Sequence, residues 1–149
     1  VPVSYKNQDG TSRRQGVELS FDSSLSETLT LSGDYTYLDA TDPDGSVEIR
    51  RPRNELGLRL SWDVPQIAVN VSAQVRHVRG LYDDQFWTGG ATGARLPDFT
   101  VVDLAADYDL SDSIHVYARV TNLLDEDQKE VWGYASPGRA GVIGMGLTW

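Results

Sequence analysis

The sequence contains no cysteine and no long hydrophobic run, and each absence excludes a class of structure. Without cysteine, neither a disulfide framework nor a thiolate metal site can form. Because no stretch of about 18 residues is continuously apolar, a transmembrane helix is excluded. A transmembrane β-barrel is not excluded, since its strands are apolar on one face only and a mean hydropathy of −0.37 does not reveal them.

Basic residues and catalytic motifs are also scarce. The chain has 13 Lys and Arg against 22 Asp and Glu, which gives a net charge of −9 and argues against a nucleic-acid partner. Lysine occurs only at Lys6 and Lys129, whereas the polar face of a soluble sheet is usually rich in it. His77 and His115 lack the spacing of a metal site, and no nucleophile or phosphate-binding motif is present. We therefore expect no catalytic residue, metal site or cofactor.

Alternation of apolar and polar residues is the dominant pattern and predicts an all-β fold. The alternating segments are 16–22, 29–39, 55–63, 67–77, 101–110, 114–122 and 140–149. A shorter piece, 3–7, brings the prediction to about eight strands. Most are longer than the roughly 5–6 residues of globular strands and approach the roughly 9–11 with which a tilted strand crosses a bilayer.

The connections alternate in length. Segments 23–27, 63–66 and 110–113 are short, whereas 40–54, 79–98 and 123–139 are long. Outer-membrane barrels have short periplasmic turns and long outer loops. The sequence therefore predicts an antiparallel up-and-down meander of about eight long strands, part of a transmembrane β-barrel. Aromatic residues toward strand ends fit an interfacial girdle.

The last thirty residues carry a specific order of motifs. They contain NLLD at 122–125, GYASPGR at 133–139 and an alternating strand that ends in Trp149. This order resembles the closing segment of TonB-dependent outer-membrane receptors, which has N-L-F-D, then G-Y-x-x-P-G-R, then a last strand with a terminal aromatic residue. GVEL at 16–19, YTYLDA at 35–40 and RRPR at 50–53 are similar to earlier family elements. Three positions differ from the family pattern. Leu124 stands where the family usually has Phe, Gln128 where an aromatic residue is common, and Trp149 where Phe is the more common aromatic residue.

The resemblance implies that residues 1–149 are the C-terminal portion of a receptor barrel of about 22 strands in the outer membrane of a Gram-negative bacterium. The plug domain and earlier strands would precede Val1. The chain itself opens without an initiator Met and without a recognisable signal peptide. The implied function is uptake of a scarce nutrient such as an iron–siderophore complex or cobalamin. The implied partners are outer-membrane lipid, a small-molecule nutrient chelate, the barrel-assembly machinery, and TonB through the missing N-terminal part.

The final strand has a further implied role. Ile143, Met145, Leu147 and Trp149 form one apolar stripe, which in the family is the signal for barrel assembly. Strand addition at an exposed edge is a plausible mechanism. The simpler interpretation, a lipid-facing strand, is compatible with it.

Candidate ligand-binding cations lie in the long segments. Arg50, Arg51 and Arg53 form the basic cluster, which could attract a phosphate or carboxylate of a ligand or of lipopolysaccharide. We favour an ion-pair network with acidic residues at the barrel mouth. Arg139 could also bind an anionic group, although a turn at Pro137 is the favoured interpretation.

The second long segment combines acidic and aromatic residues. Asp83, Asp84 and Trp87 would suit recognition of a sugar, a chelate or a corrin-like ligand at a loop tip. A mobile loop without a ligand is the alternative. Two other functions stay open at this point: a self-contained eight-stranded barrel with a structural or adhesive role, and a soluble ligand-binding β-sandwich.

Overall fold

The computed structural model describes residues 9–85 and 93–149. The predicted short strand at 3–7 and the candidate Trp87 lie outside these residues. Nine strands are present in the described part of the chain. Their bounds are β1 Arg13–Ser24, β2 Leu29–Thr41, β3 Asn54–Val64, β4 Val69–Arg79, β5 Tyr82–Asp83, β6 Ala94–Arg95, β7 Phe99–Ser111, β8 Ile114–Thr121 and β9 Ala140–Leu147.

Seven long strands form one antiparallel sheet in the order β1-β2-β3-β4-β7-β8-β9, with β1 and β9 at its edges. The two-residue strands β5 and β6 form a separate hairpin between β4 and β7. The predicted all-β meander is confirmed. β4 begins at Val69 and not at Ile67, because the Ile67 N–H donates to the carbonyl of Val64 and Ala68 has a left-handed φ of 52°.

The register places the predicted apolar faces side by side. Leu31 pairs with Leu60, Leu60 with Ala73, Ala73 with Leu104, and Leu104 with Val120. Since successive side chains of a strand point to opposite faces, one side of the sheet is mainly apolar and the other carries most of the polar residues. We call these the apolar face and the polar face.

No second layer covers the apolar face within the described residues. Leu60, Trp62, Ile143, Met145 and Leu147 are all exposed. Exposed apolar area of this extent is unfavourable in water, and a lipid environment removes the penalty. The sheet therefore has the character of a segment of a membrane-barrel wall. Across the described ranges, no helix has the length and apolar character needed to cross a membrane.

Connection length alternates as predicted. Short turns at 25–28, 65–68 and 112–113 lie at one end of the sheet. The other end carries the first long loop, 42–53, the second long loop, 80–98, which contains β5 and β6, and the third long loop, 122–139. The buried hydrophobic core is also at this end. It consists of Val78, Leu81, Leu96 and Phe99, with Trp132 packed against it.

Candidate functional site

One buried carboxylate joins the three long loops. Asp83, in the second loop, is fully buried. Its Oδ1 accepts a hydrogen bond from Nε of Arg50 in the first loop at 2.9 Å, and its Oδ2 accepts one from the Trp132 N–H in the third loop at 2.7 Å. The Arg50 N–H also donates to the carbonyl of Tyr82 at 2.8 Å. The three loops are distant in sequence, and Asp83 therefore fixes their arrangement relative to one another.

The electrostatics of Asp83 follow from these contacts. Burial alone would raise the pKa of its carboxyl group, because removal from water disfavours the charged form. The Trp132 N–H and the Arg50 guanidinium outweigh burial and hold the pKa below its ordinary value of 3.8. The carboxylate is ionised at neutral pH, as a charged hydrogen-bond acceptor requires. Arg50 has a left-handed φ of 58°, which costs a non-glycine residue about 1–2 kcal/mol and which this pairing helps to maintain.

Asn122 organises the third loop from its first residue. It is nearly fully buried and has a φ of 51°, a conformation that asparagine tolerates better than most residues. Its Oδ1 accepts the Glu126 N–H at 2.9 Å, and its Nδ2 donates to the carbonyls of Glu126 and Pro137 at 3.0 and 3.3 Å. Its own N–H donates to Asp103 at 2.8 Å. One side chain thus closes both ends of the loop.

Two hydrogen bonds join the NLLD and GYASPGR motifs of the closing segment. Oδ1 of Asp125 accepts the Arg139 N–H at 2.8 Å, and the Arg139 guanidinium donates to the carbonyl of Leu123 at 3.3 Å. Asp125 also has a left-handed φ of 56°. These contacts give NLLD and PGR a shared structural role, and they place Arg139 in the loop scaffold.

The other arginines of the basic cluster also have acidic partners. Arg51 lies 3.5 Å from Glu48, and Arg53 lies 3.3 Å from Asp39. With Arg50 on Asp83, all three arginines of the basic cluster have acidic partners, so the structure contains an ion-pair network. The structure brings Arg50 and Asp83 together, whereas Arg139 contacts Asp125 and Leu123.

The remaining acidic candidate has a local role. Oδ1 of Asp84 accepts the Gly93 N–H at 2.7 Å. The aromatic partner expected beside it, Trp87, lies outside the described residues. Asp83 was expected at an exposed loop tip, whereas its complete burial makes it a positioning group. Ligand contact by Arg50, Arg51, Arg53, Asp84, Trp87 and Arg139 stays a prediction.

A cavity of about 320 Å³ opens on the polar face beneath the third long loop. Its lining includes the side chains of Gln74, Arg76, Asp103 and Gln128. Arg76 lies 2.7 Å from Glu55 and also pairs with Glu130 of the third loop. The cavity therefore presents amide, guanidinium and carboxylate groups, which suit a polar ligand more than an apolar one. In the described ranges, no three His, Asp or Glu side chains are arranged to hold a metal ion.

Comparison with known proteins agrees with this architecture. Residues 1–123 match the family model described as TonB dependent receptor-like, beta-barrel. The ferrioxamine B receptor of Salmonella typhimurium is 30% identical over 130 residues, which cover 78% of this chain and 18% of the receptor. The metal-pseudopaline receptor CntO of Pseudomonas aeruginosa is 30% identical over 169 residues, covering 97% of this chain and 22% of that protein.

A solved structure shows the same fold. The ferric-catecholate import receptor Fiu of E. coli K12, in its closed form, superposes with a TM-score of 0.75 at 22% identity, covering 95% of this chain and 22% of that chain. The chain belongs to the TonB-dependent receptor family, and it is an outer-membrane protein of a Gram-negative bacterium. It spans about a fifth of the length of the relatives it matches.

Three positioning residues escaped prediction from the sequence. Asn122 and Trp132 lie within the closing segment, where their chemistry gave no sign of the contacts they make. Arg76 looked like one polar residue among many on β4. An asparagine at the end of a predicted strand is the sequence signal that could have identified Asn122, since asparagine is enriched in the left-handed conformation that Asn122 adopts.

Proposed function

We propose that the full protein imports a metal chelate of the siderophore type across the outer membrane. This chain would supply the last strands of the barrel wall and three of its outer loops. The observation that carries the proposal is the family match, together with three long loops that Asp83 joins and a polar cavity beneath the third of them. The names of the relatives support the substrate class, since one takes its name from ferrioxamine B and the other from metal-pseudopaline.

Recognition would be non-covalent, and the loops would act as one surface. Arg50 and Asp83 position the loops, while Gln74 and Gln128 offer amide groups to a ligand within the cavity. Arg51, Arg53, Asp84, Trp87 and Arg139 remain proposed ligand contacts. Because Arg51 and Arg53 already have acidic partners, an anionic ligand group would have to share these guanidinium groups.

The proposed partners follow from the same assignment. Energy would come from TonB acting on a part of the protein outside this chain. An exposed apolar stripe follows β9 and continues beyond it, at the edge of the sheet. It consists of Ile143, Met145, Leu147 and Trp149. We propose that this edge is recognised by the barrel-assembly machinery through strand addition.

Uptake in whole cells tests the proposal. The full-length gene is expressed in a strain that lacks its own siderophore receptors, with and without a functional TonB. Radiolabelled iron is offered as ferrioxamine B, as a ferric catecholate and as the free ion, and cobalamin is offered separately. We expect TonB-dependent uptake of at least one iron chelate. Uptake of cobalamin alone would overturn the chelate class and keep the receptor assignment.

A matched pair of variants tests the cavity. Gln128→Ala removes a lining side chain, whereas Asp127→Ala removes a neighbour whose ion pair with Lys129 is exposed. We expect the first variant to weaken chelate binding and the second to leave it within about twofold, because exposed ion pairs contribute little. Equal binding by both variants in a titration of the full-length receptor would remove the cavity from the proposal.

A further inference from the structure

The cavity beneath the third long loop has more negative than positive charge around it. Two charged side chains line it, Arg76 of β4 and Asp103 of β7. The Arg76 guanidinium is shared by two further carboxylates, Glu55 of β3 and Glu130 of the third loop. Together these residues contribute three carboxylates and one guanidinium. Because a cleft concentrates the field of the charges around it, the cavity favours a positively charged group.

Arg76 is held in place on three sides. Its Nε donates to Glu55 at 2.7 Å, a second nitrogen donates to Glu130, and its guanidinium carbon lies 5.6 Å from the centre of the Phe99 ring. Phe99 is part of the buried core at the loop end of the sheet. An anionic ligand would therefore have to displace a carboxylate from Arg76, and the displaced charge would remain close to the ligand. This arrangement disfavours an anionic chelate.

Asp103 is partly buried and has no positively charged partner. Its Oδ1 accepts the Asn122 N–H at 2.8 Å. Within the described ranges, no basic side chain forms an ion pair with it, since Arg76 and Arg119 pair with other carboxylates. Arg59 lies in the same row of the sheet but two strands away, at a separation of about 10 Å. A carboxylate in this position would gain strongly from a cation that arrives with a ligand.

The third long loop adds to the negative charge. Its basic residues are Lys129 and Arg139, and its acidic residues are Asp125, Glu126, Asp127 and Glu130. Lys129 already pairs with Asp127 at 2.9 Å, and the Arg139 guanidinium donates to the carbonyl of Leu123. A positive group that approaches past this loop therefore meets a favourable potential before it reaches the cavity.

We propose that the cavity binds the cationic group of a metal chelate, such as a protonated primary amine, through Asp103 and Glu130. This rests on the proposed function and narrows its substrate class to chelates with a positive group outside the metal centre. The two carboxylates accept the ammonium N–H groups, while Gln74 and Gln128 offer amides to the adjoining part of the ligand. Glu130 can accept from Arg76 and from the ligand together, since a carboxylate has about four lone-pair sites.

The test compares two forms of one chelate that differ by a single charge. Ferrioxamine B has a primary amine outside its hydroxamate groups, and acetylation of this amine gives a neutral chelate with the same iron centre. Both forms are titrated against the full-length receptor, together with an anionic ferric catecholate. We expect the amine form to bind on the order of tenfold more tightly than the acetylated form, and the catecholate to bind most weakly.

Two variants remove the carboxylate charges one at a time. Asp103→Asn retains an oxygen that can accept the Asn122 N–H and loses the charge. Glu130→Gln loses the charge in the third loop and releases Arg76 from one of its two partners. Each variant should reduce the preference for the amine form to about threefold, with little change in the affinity for the acetylated form. Glu130→Gln should also bind the catecholate more tightly than the wild type.

The matched control is Asp109→Asn. It removes a carboxylate from the same strand and the same face as Asp103, but near the turns, where the Asp109 side chain is mostly exposed. The control should retain the wild-type preference for the amine form. Because the measured quantity is a ratio between two ligands, a general loss of active receptor does not change it.

Several outcomes would overturn the proposal. Equal affinity for the amine and acetylated forms in the wild type, or tightest binding of the catecholate, would exclude a cation site and leave the chelate receptor in place. An equal loss of preference in Asp109→Asn would show that Asp103 and Glu130 have no special role. Failure of both Asp103→Asn and Glu130→Gln to fold would indicate that a basic residue from outside this chain occupies the cavity. Binding of none of the three chelates would instead overturn the proposed function, and the cation site with it.

Discussion

Asp83 Oδ2 accepts a hydrogen bond from the N–H of Trp132 at 2.7 Å, although the two residues are 49 positions apart in the chain. The same carboxylate pairs with Arg50, which is 33 positions away in the other direction. The second long loop therefore reaches both of its neighbours through one side chain. This gives the three long loops a preformed arrangement, and several of its consequences can be measured.

Replacement of Asp83 should loosen the loops without preventing the sheet from forming. Asp83→Asn retains one acceptor but loses the charge that pairs with Arg50, at an expected cost of about 1–3 kcal/mol. Limited proteolysis of the full-length receptor in membranes should show faster cleavage in the long loops. The control Asp127→Asn alters an exposed carboxylate that pairs with Lys129 and should change little. Equal cleavage rates in the two variants would contradict the positioning role.

The Asp83 contacts should also weaken in acid. A carboxyl group whose pKa is lower in the folded protein stabilises that state above the ordinary pKa, and this stabilisation is lost as pH falls through the folded value. The pKa of Asp83 is depressed, so the loops should be equally protected between pH 5 and pH 7 and become less protected below the ordinary value of 3.8. The protection factor of the Trp132 amide, which compares the measured exchange rate with the intrinsic rate at the same pH, would follow this change. In Asp83→Asn the protection factor should be lower and less dependent on pH, and a profile like that of the wild type would exclude Asp83 as the titrating group.

Asn122→Ala should destabilise the third long loop more than an asparagine substitution elsewhere. It removes three side-chain hydrogen bonds and leaves alanine in a left-handed conformation, for an expected total of about 2–4 kcal/mol. The measurement is the temperature at which the full-length barrel loses its folded mobility in a detergent gel. The control Asn70→Ala loses one bond, to Asp63, and should lower that temperature less. A smaller effect at Asn122 than at Asn70 would refute this account.

Gly16 should not tolerate a side chain, whereas Gly146 should. A Cβ on Gly16 would lie 2.2 Å from the carbonyl oxygen of Tyr37 on the paired strand. Because that oxygen belongs to the backbone, the clash can be relieved only if the two strands move apart. Among the residues that the structure describes, none has an atom within 4 Å of the corresponding position on Gly146. We expect Gly16→Ala to reduce the folded fraction in the outer membrane and Gly146→Ala to leave it unchanged. Similar yields of the two variants would show that β1 and β2 separate at little cost.

The strands were predictable because their signal is local. Alternation of apolar and polar residues needs only the period of a strand, so the seven long strands were identified with their faces, and the register confirmed that these faces align. The hairpin of β5 and β6 was not predicted, since strands of two residues carry no period. The family motifs were also local, but their order gave no information about which side chains would meet.

The amino-acid sequence by itself determined the meander, the apolar face and the alternation of short turns with long loops, because each depends on residues near one another in the chain. Only the tertiary structure decided that Asp83 is buried between Arg50 and Trp132, and that Asn122 bonds both Asp103 and Pro137. Such contacts join residues that are distant in sequence, and they form only when strand pairing brings those residues together in space.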